Sequence, residues 1–267
     1  MIPNIKHAKK HFNDDAFAPY STAYVTTNED LRNALKCMPK DTNRALTVAA
    51  SGDHPIFVKL YGAKYVDTFD ISLNARLIMD IKTSALSLLN HQEYCELLKN
   101  LYKSKDIMLV KNMSQIIRTL TSFEQKYIKE MRGENLFNKE IRPDSMLFPT
   151  NAEFQKMRQI INKPFNFVWS DIKTLHKKLK RNYDFMHLSN IFDYVGTYQD
   201  CMDVLDSLAS RTNPGGSICF VCFNKDPEAI CEKFMWTHAM QHNQEQAWTA
   251  NPVFEIKNST YVMHRVR

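Results

Sequence analysis

Apolar and polar positions along this chain alternate between two periods. The run Leu46, Thr47, Val48, Ala49 suits a buried strand and stops abruptly at Ser51, Gly52, Asp53 and His54. "FVKLYGAK" (Phe57 to Lys64) then reads as a short helix ending at Gly62, and "YVDTFDIS" as a second β-rich run stopping at Asp70. "SLNARLIMDIKTSALSLL" carries apolar residues at helical spacing. Strand, helix, strand, helix in unbroken succession is the βαβ signature of a parallel sheet.

From Tyr94 to about Ile141 the chain is rich in lysine and methionine and helical in pattern, so it predicts a helical insertion that either forms a lid or covers the sheet. Strands resume with "FNFVWSDI", "YDFMHLSNIF" and, after an "NPGG" turn, "SICFVCFN". "VFEIKN" and "TYVMHRVR", split at Asn258 and Ser259, read as a closing hairpin. Repeats and low-complexity segments are absent from the pattern. The expectation is one α/β domain over 1–267 with a mostly parallel sheet, an N-terminal segment 1–40, an insertion at about 94–141 and a C-terminal antiparallel hairpin.

Composition narrows the class. A chain of 267 residues with 44% hydrophobic and 24% charged residues has a sizeable core and is not generally disordered. A net charge of +6 is compatible with an anionic partner without demanding one. The dense run "HKKLKR" (His176 to Arg181) reads as a solvated helix face. The N-terminal stretch has no apolar core of the signal-peptide kind, and no run of about 18 apolar residues occurs, so a cytoplasmic chain that does not span a membrane is expected. Six cysteines in such a chain read as free thiols. In "CFVC" a strand would send Cys219 and Cys222 to opposite faces, so no metal site is expected there.

The chemistry is expected where strands end. In open parallel sheets, ligands sit outside the carboxyl ends of the strands. "AASGDHP" occupies such an end, and its small residues allow a ligand to approach the backbone. Asp70 lies 17 residues after Asp53, near the distance of about 20 residues at which nucleoside-binding βαβ units place an acid on the ribose hydroxyls. Asp171, ending "FNFVWSD", brings a further acid to the same rim, where it suits an adenine amino group. Asp70 and Asp171 each also precede a helix and suit an N-cap, and the two roles can coexist. Ser189, Asn190 and Asp193 interrupt an apolar segment as turn formers or substrate contacts.

The order "LTVAASGD", "YVDTFDIS", "FVWSDI", "DFMHLSNIFDYV", "NPGGSICF" resembles a Rossmann-like class I S-adenosylmethionine-dependent transferase. More narrowly, it is similar to the 3-amino-3-carboxypropyltransferases related to the enzyme of betaine-lipid synthesis. "YVTTNEDLRNAL" stands where that family has a tyrosine and a Trp-Glu-Asp stretch, with Asn28 at the tryptophan position; the loop at Ala50 to His54 matches "SAGDN" and Asp70 to Asn74 matches "DLSPAQ". The resemblance runs from about Tyr20 to Cys222.

It implies S-adenosylmethionine as cofactor, held by Ala50, Ser51, Gly52, Asp53, Asp70, Ile71, Asn74, Asp171, Ile172, Ser189 and Asn190. Tyr24, Glu29 and Asp30 would contact the amino-acid arm or substrate, although Glu29 and Asp30 equally suit capping of the helix "LRNALKCM". Asp193 would be the base or the carboxylate that fixes a cationic acceptor, and Tyr194 a donor or a core residue. His54 and His187 rank below Asp193 as bases. The implied acceptor is a small molecule or lipid headgroup. A nucleic acid is disfavoured, because "SNIFDY" lacks the Asn-Pro-Pro-aromatic loop that clamps a flipped base. Methyl transfer and a non-catalytic binding subunit are the competing classes.

Overall fold

The computed structural model describes residues 5–8, 10, 12, 18–138, 147–242, 248–252 and 259–266. The strands are β1 (Ala23–Tyr24), β2 (Arg44–Val48), β3 (Tyr65–Asp70), β4 (Phe137–Asn138), β5 (Asn166–Trp169), β6 (Tyr183–His187), β7 (Thr212–Cys222), β8 (Trp248–Pro252) and β9 (Ser259–Arg265). The helices are α1 (Ile5–Ala8), α2 (Leu31–Ala34), α3 (Asp53–Leu60), α4 (Leu73–Leu88), α5 (His91–Lys103), α6 (Met113–Ile117), α7 (Ser122–Glu130), α8 (Asn151–Ile160), α9 (Ile172–Lys178), α10 (Tyr198–Ala209) and α11 (Pro227–His242).

Seven strands form one sheet in the order β5-β3-β2-β6-β7-β9-β8. Neighbours β3, β2, β6 and β7 are parallel, whereas β9 runs antiparallel to both β7 and β8. This is a mostly parallel, Rossmann-like arrangement with its reversed strand near one edge. Strand order turns back beside β2, which makes the end of β2 the topological switch point of the sheet.

The chain divides into two compact units, one comprising 1–28, 49–60 and 70–169, the other 29–48, 61–69 and 170–267. The first is built on α4, whose Leu77, Ile78, Met79 and Ile81 are fully buried, each such side chain contributing roughly 1.5–3 kcal/mol. The insertion belongs to this unit. Its Leu97, Leu101, Ile116, Tyr127 and Ile128 are buried, whereas Met108 and Leu109 are exposed, and helices α5 and α7 open with capping boxes at Asn90 and Thr121. It also carries the short strand β4, paired with β1, which the helical pattern does not reveal.

In the second unit, Phe192 stands edge-on to Phe220 at 4.8 Å, and Phe234 to Trp248 at 5.7 Å. Asp184 ties β6 to the start of β2 by accepting the N–H groups of Asn43 and Arg44.

Three boundaries differ from the sequence pattern. Helix α3 starts at Asp53, ahead of Phe57, because Pro55 lies in the first turn, where no N–H is required. "NPGG" lies within β7 and is not a turn before it. The register slips from Tyr183–Thr212 to Phe185–Ser217, and the bulge needs glycine: Gly215 has φ 77°, and a Cβ on Gly216 would lie 2.9 Å from the Asn213 carbonyl. The closing hairpin exists, but its first strand is Trp248–Pro252, while "VFEIKN" lies outside the described residues. Among the described residues no helix is long and apolar enough to cross a membrane.

Candidate functional site

In the first unit, the chain leaving β2 makes a tight turn. Ala50 and Gly52 take left-handed backbone conformations, φ 44° and 80°, and the Gly52 N–H closes on the Ala49 carbonyl at 2.7 Å. Gly52 is required twice over, since a Cβ there would sit 2.7 Å from the Met79 Cα of α4.

Asp70, at the end of β3, holds this turn. One oxygen accepts the Ala50 N–H at 2.9 Å and the other the Ser72 N–H at 2.9 Å. Burial pushes the Asp70 carboxyl above the usual range, opposed by N–H groups of Ser72, Ala50 and Ile71 and by the charge of His54. Ala50, Asp70 and Ile71 are half-buried, and they are the part of this turn open to a ligand. A carboxylate has about four acceptor positions, so Asp70 retains capacity for a further donor.

Ser51 and Asp53 lie beneath. Asp53 accepts the Thr27 N–H at 2.8 Å and the Ser51 hydroxyl at 2.9 Å on one oxygen, and the Lys82 ammonium at 2.5 Å on the other. Asp53 is therefore committed to holding the turn from inside. Asn74 is likewise committed: its amide donates to the Ser21 carbonyl at 2.9 Å and accepts from the Tyr127 hydroxyl at 3.0 Å. Tyr24, on β1, is partly exposed.

In the second unit, Ser189 follows β6 with φ 56°, a strained conformation for a non-glycine residue. Its hydroxyl donates to buried Glu29, and the other oxygen of Glu29 lies 3.8 Å from Nε2 of the fully buried His187. Glu29 thus does not cap α2. Asp30 does, accepting the Asn33 N–H at 3.2 Å. Asp171 caps α9 through the Lys173 N–H at 2.7 Å and is exposed, with Ile172 buried behind it.

Asp193 accepts three backbone N–H groups, from Phe223 at 2.8 Å, Asn224 at 3.0 Å and Lys225 at 3.2 Å. It anchors the chain leaving β7. Tyr194 is exposed, not a core residue, and its hydroxyl lies 3.4 Å from the amide of Asn190. All six cysteines are free thiols, and Cys219 and Cys222 are both buried in β7.

Lys82 was not among the residues singled out from the sequence. The signal was present: in "LIMDIKTSAL" it shares the apolar face of α4 with Ile78, Ile81 and Ala85, where a lysine requires a buried partner. Thr27 gave no such signal, because it contributes a backbone N–H, which every residue except proline carries.

No family model and no curated protein matches this sequence. Solved structures do. The N-methyltransferase NodS from Bradyrhizobium japonicum WM9 aligns over 88% of this chain and 90% of its own, at 10% identity and TM-score 0.41. The same enzyme in complex with S-adenosyl-L-homocysteine aligns over 88% and 82%, again at 10% and 0.41. The ribosomal protein L11 methylase from Lactobacillus delbrueckii subsp. bulgaricus aligns over 89% and 77%, at 12% identity and TM-score 0.44.

Proposed function

We propose that this protein binds S-adenosylmethionine and transfers a carbon group from it to a small nucleophilic acceptor. One observation carries the reading: the turn at the switch point of the sheet is made of small residues, two of them left-handed, and is clasped by a half-buried carboxylate at the end of the next strand. A ribose diol needs an acceptor at that strand end, and the backbone at Ala50 leaves room for the sugar.

Bound there, the sulfonium would supply three electrophilic carbons. The chain would hold the ribose on Asp70 and place the nucleoside against Ala50 and Ile71. With three N–H groups on its oxygens, Asp193 is suited to fixing a cationic acceptor or shaping the loop after β7.

For the group transferred, our reading is 3-amino-3-carboxypropyl, with methylthioadenosine released. It is supported by the likeness of the "NED" and "LSNIFDY" stretches to that family and by the hydrogen bond that joins them through Glu29 and Ser189. Methyl transfer is the second reading, favoured by the strand order common to the whole fold class. The acceptor is proposed to be a small molecule or lipid headgroup.

Calorimetry with S-adenosylmethionine tests the site. Asp70→Ala is expected to lose about 1.5–3 kcal/mol of affinity through its charge-assisted bonds, and unchanged affinity would remove Asp70 from the site. Mass spectrometry after incubation with metabolite and lipid extracts decides the group. Methylthioadenosine supports aminocarboxypropyl transfer, S-adenosylhomocysteine establishes methyl transfer, and neither product across broad extracts points to a non-catalytic binding subunit.

A further inference from the structure

We infer that Lys82 is a positioning residue for the ligand turn: its buried ammonium, acting through Asp53, holds Ser51 and Thr27 so that the Ala50–Gly52 backbone keeps the shape that receives the nucleoside. The inference rests on the cofactor reading above.

Lys82 lies in the middle of α4 and is fully buried, as is the Asp53 carboxylate that it meets at 2.5 Å. An isolated ion in such a place would be strongly disfavoured, so each charge requires the other. On its second oxygen Asp53 accepts the Ser51 hydroxyl of the turn and the Thr27 N–H of the segment beside it. One helical turn before Lys82, Met79 presses on Gly52 at backbone distance. Helix α4 therefore grips the turn at two points, one steric and one ionic. The steric point limits how close the turn comes to the helix. The ionic point fixes which way Ser51 faces, and with it the carbonyl and N–H directions of the residues between.

Removing the ammonium leaves a buried carboxylate without a counter-charge. That carboxylate must take up a proton or turn toward water, and either response changes what Thr27 and Ser51 are bonded to. The effect should be local to the turn, because among the described residues the hydrogen bonds of this pair go to Ser51 and Thr27.

The test compares wild type with Lys82→Met, which keeps an unbranched side chain one heavy atom shorter and removes its charge. Amide hydrogen exchange is followed at Thr27 and Gly52 and, as reference, at Leu46 and Leu77; calorimetry measures S-adenosylmethionine affinity in the same samples. Expected is a selective loss of protection at Thr27 and Gly52 of about tenfold or more, with Leu46 and Leu77 unchanged and affinity down at least about tenfold. An equal loss at all four amides would mean that Lys82 merely stabilises the fold, and unchanged protection at the turn would mean that it does not hold it; either result overturns the inference. If Lys82→Met does not fold, Ser51→Ala breaks the same chain one link later without stranding a charge. It is expected to loosen Gly52 and lower affinity, and unchanged exchange there would equally overturn the inference. A wild type that binds no S-adenosylmethionine while the turn amides still respond selectively would sink the cofactor reading and leave Lys82's hold on the turn standing.

Discussion

Two aspartates at strand ends, Asp53 after β2 and Asp193 after β6, look alike in the sequence and are used differently in the fold. Asp53 is buried and answers a buried ammonium, a serine hydroxyl and one backbone N–H. Asp193 is half-exposed and answers three backbone N–H groups of a single turn. Both carboxylates hold loops. In a dry site the partner must be a full charge, because the cost of an unpaired ion is high there; near water, peptide dipoles suffice and solvent can replace any one of them. The two sites should therefore fail differently when their acids are removed.

The largest effect is expected from Asp53→Ala, which strands the Lys82 ammonium and should cost about 3–5 kcal/mol of unfolding free energy in urea titration. A cost below about 1 kcal/mol would mean that Lys82 sheds its proton or reaches water easily, and the contrast would collapse.

Buried charge in the first unit should also make it sensitive to pH. Burial, together with a hydrogen bond and charge repulsion from Glu124, pushes Asp80 up to about 8, against the pull of Arg76, which lies 3.5 Å from both acids. Glu124 is itself disfavoured as an ion by burial, yet hydrogen bonds from Asp80 and Thr121 bring it below its usual range. Unfolded Asp80 loses its proton near pH 4, while folded Asp80 keeps it to about 8, so the folded state binds the extra proton in that interval. Stability from this group is complete below about pH 4 and is lost as pH rises through about 8. Denaturation across this range should show a falling slope that Asp80→Asn flattens, and a wild-type slope matching the variant's would refute the extra proton on folded Asp80.

Asp193→Ala should cost less, about 1–2 kcal/mol, with exchange rising at Phe223, Asn224 and Lys225 and the Thr27 amide unaffected. A cost equal to that of Asp53→Ala would erase the difference between the two aspartates. The smallest effect is expected at Asp171→Ala, about 1 kcal/mol for a lost N-cap on α9. Calorimetry with S-adenosylmethionine separates its two roles, since a drop in affinity beyond that of a remote surface variant would add a ligand contact to the cap.

Much of the architecture was legible in the linear pattern. Strand runs, the helical insertion, the closing hairpin and the parallel sheet all rest on periodicity and turn chemistry, which are local properties of a few neighbouring residues. So was the turn Ala50–Asp53 with its acid at Asp70, because close backbone approach demands small residues wherever it occurs. Only the tertiary structure decided what each polar group does. "NPGG" is a turn by local preference and a bulge in fact, because Gly215 takes a left-handed φ and a Cβ on Gly216 would crowd the carbonyls of Asn213 and, on β6, of Asp184. Glu29 and Asp30 were equal candidates for one cap, and it is Ser189, distant along the chain, that draws Glu29 away. Asp53, expected from the sequence at a ligand-binding strand end, is buried and paired with Lys82 of α4. A side chain's type states which bonds it can make, but which bond it does make depends on what the fold brings within about 3 Å and on whether water remains there to compete.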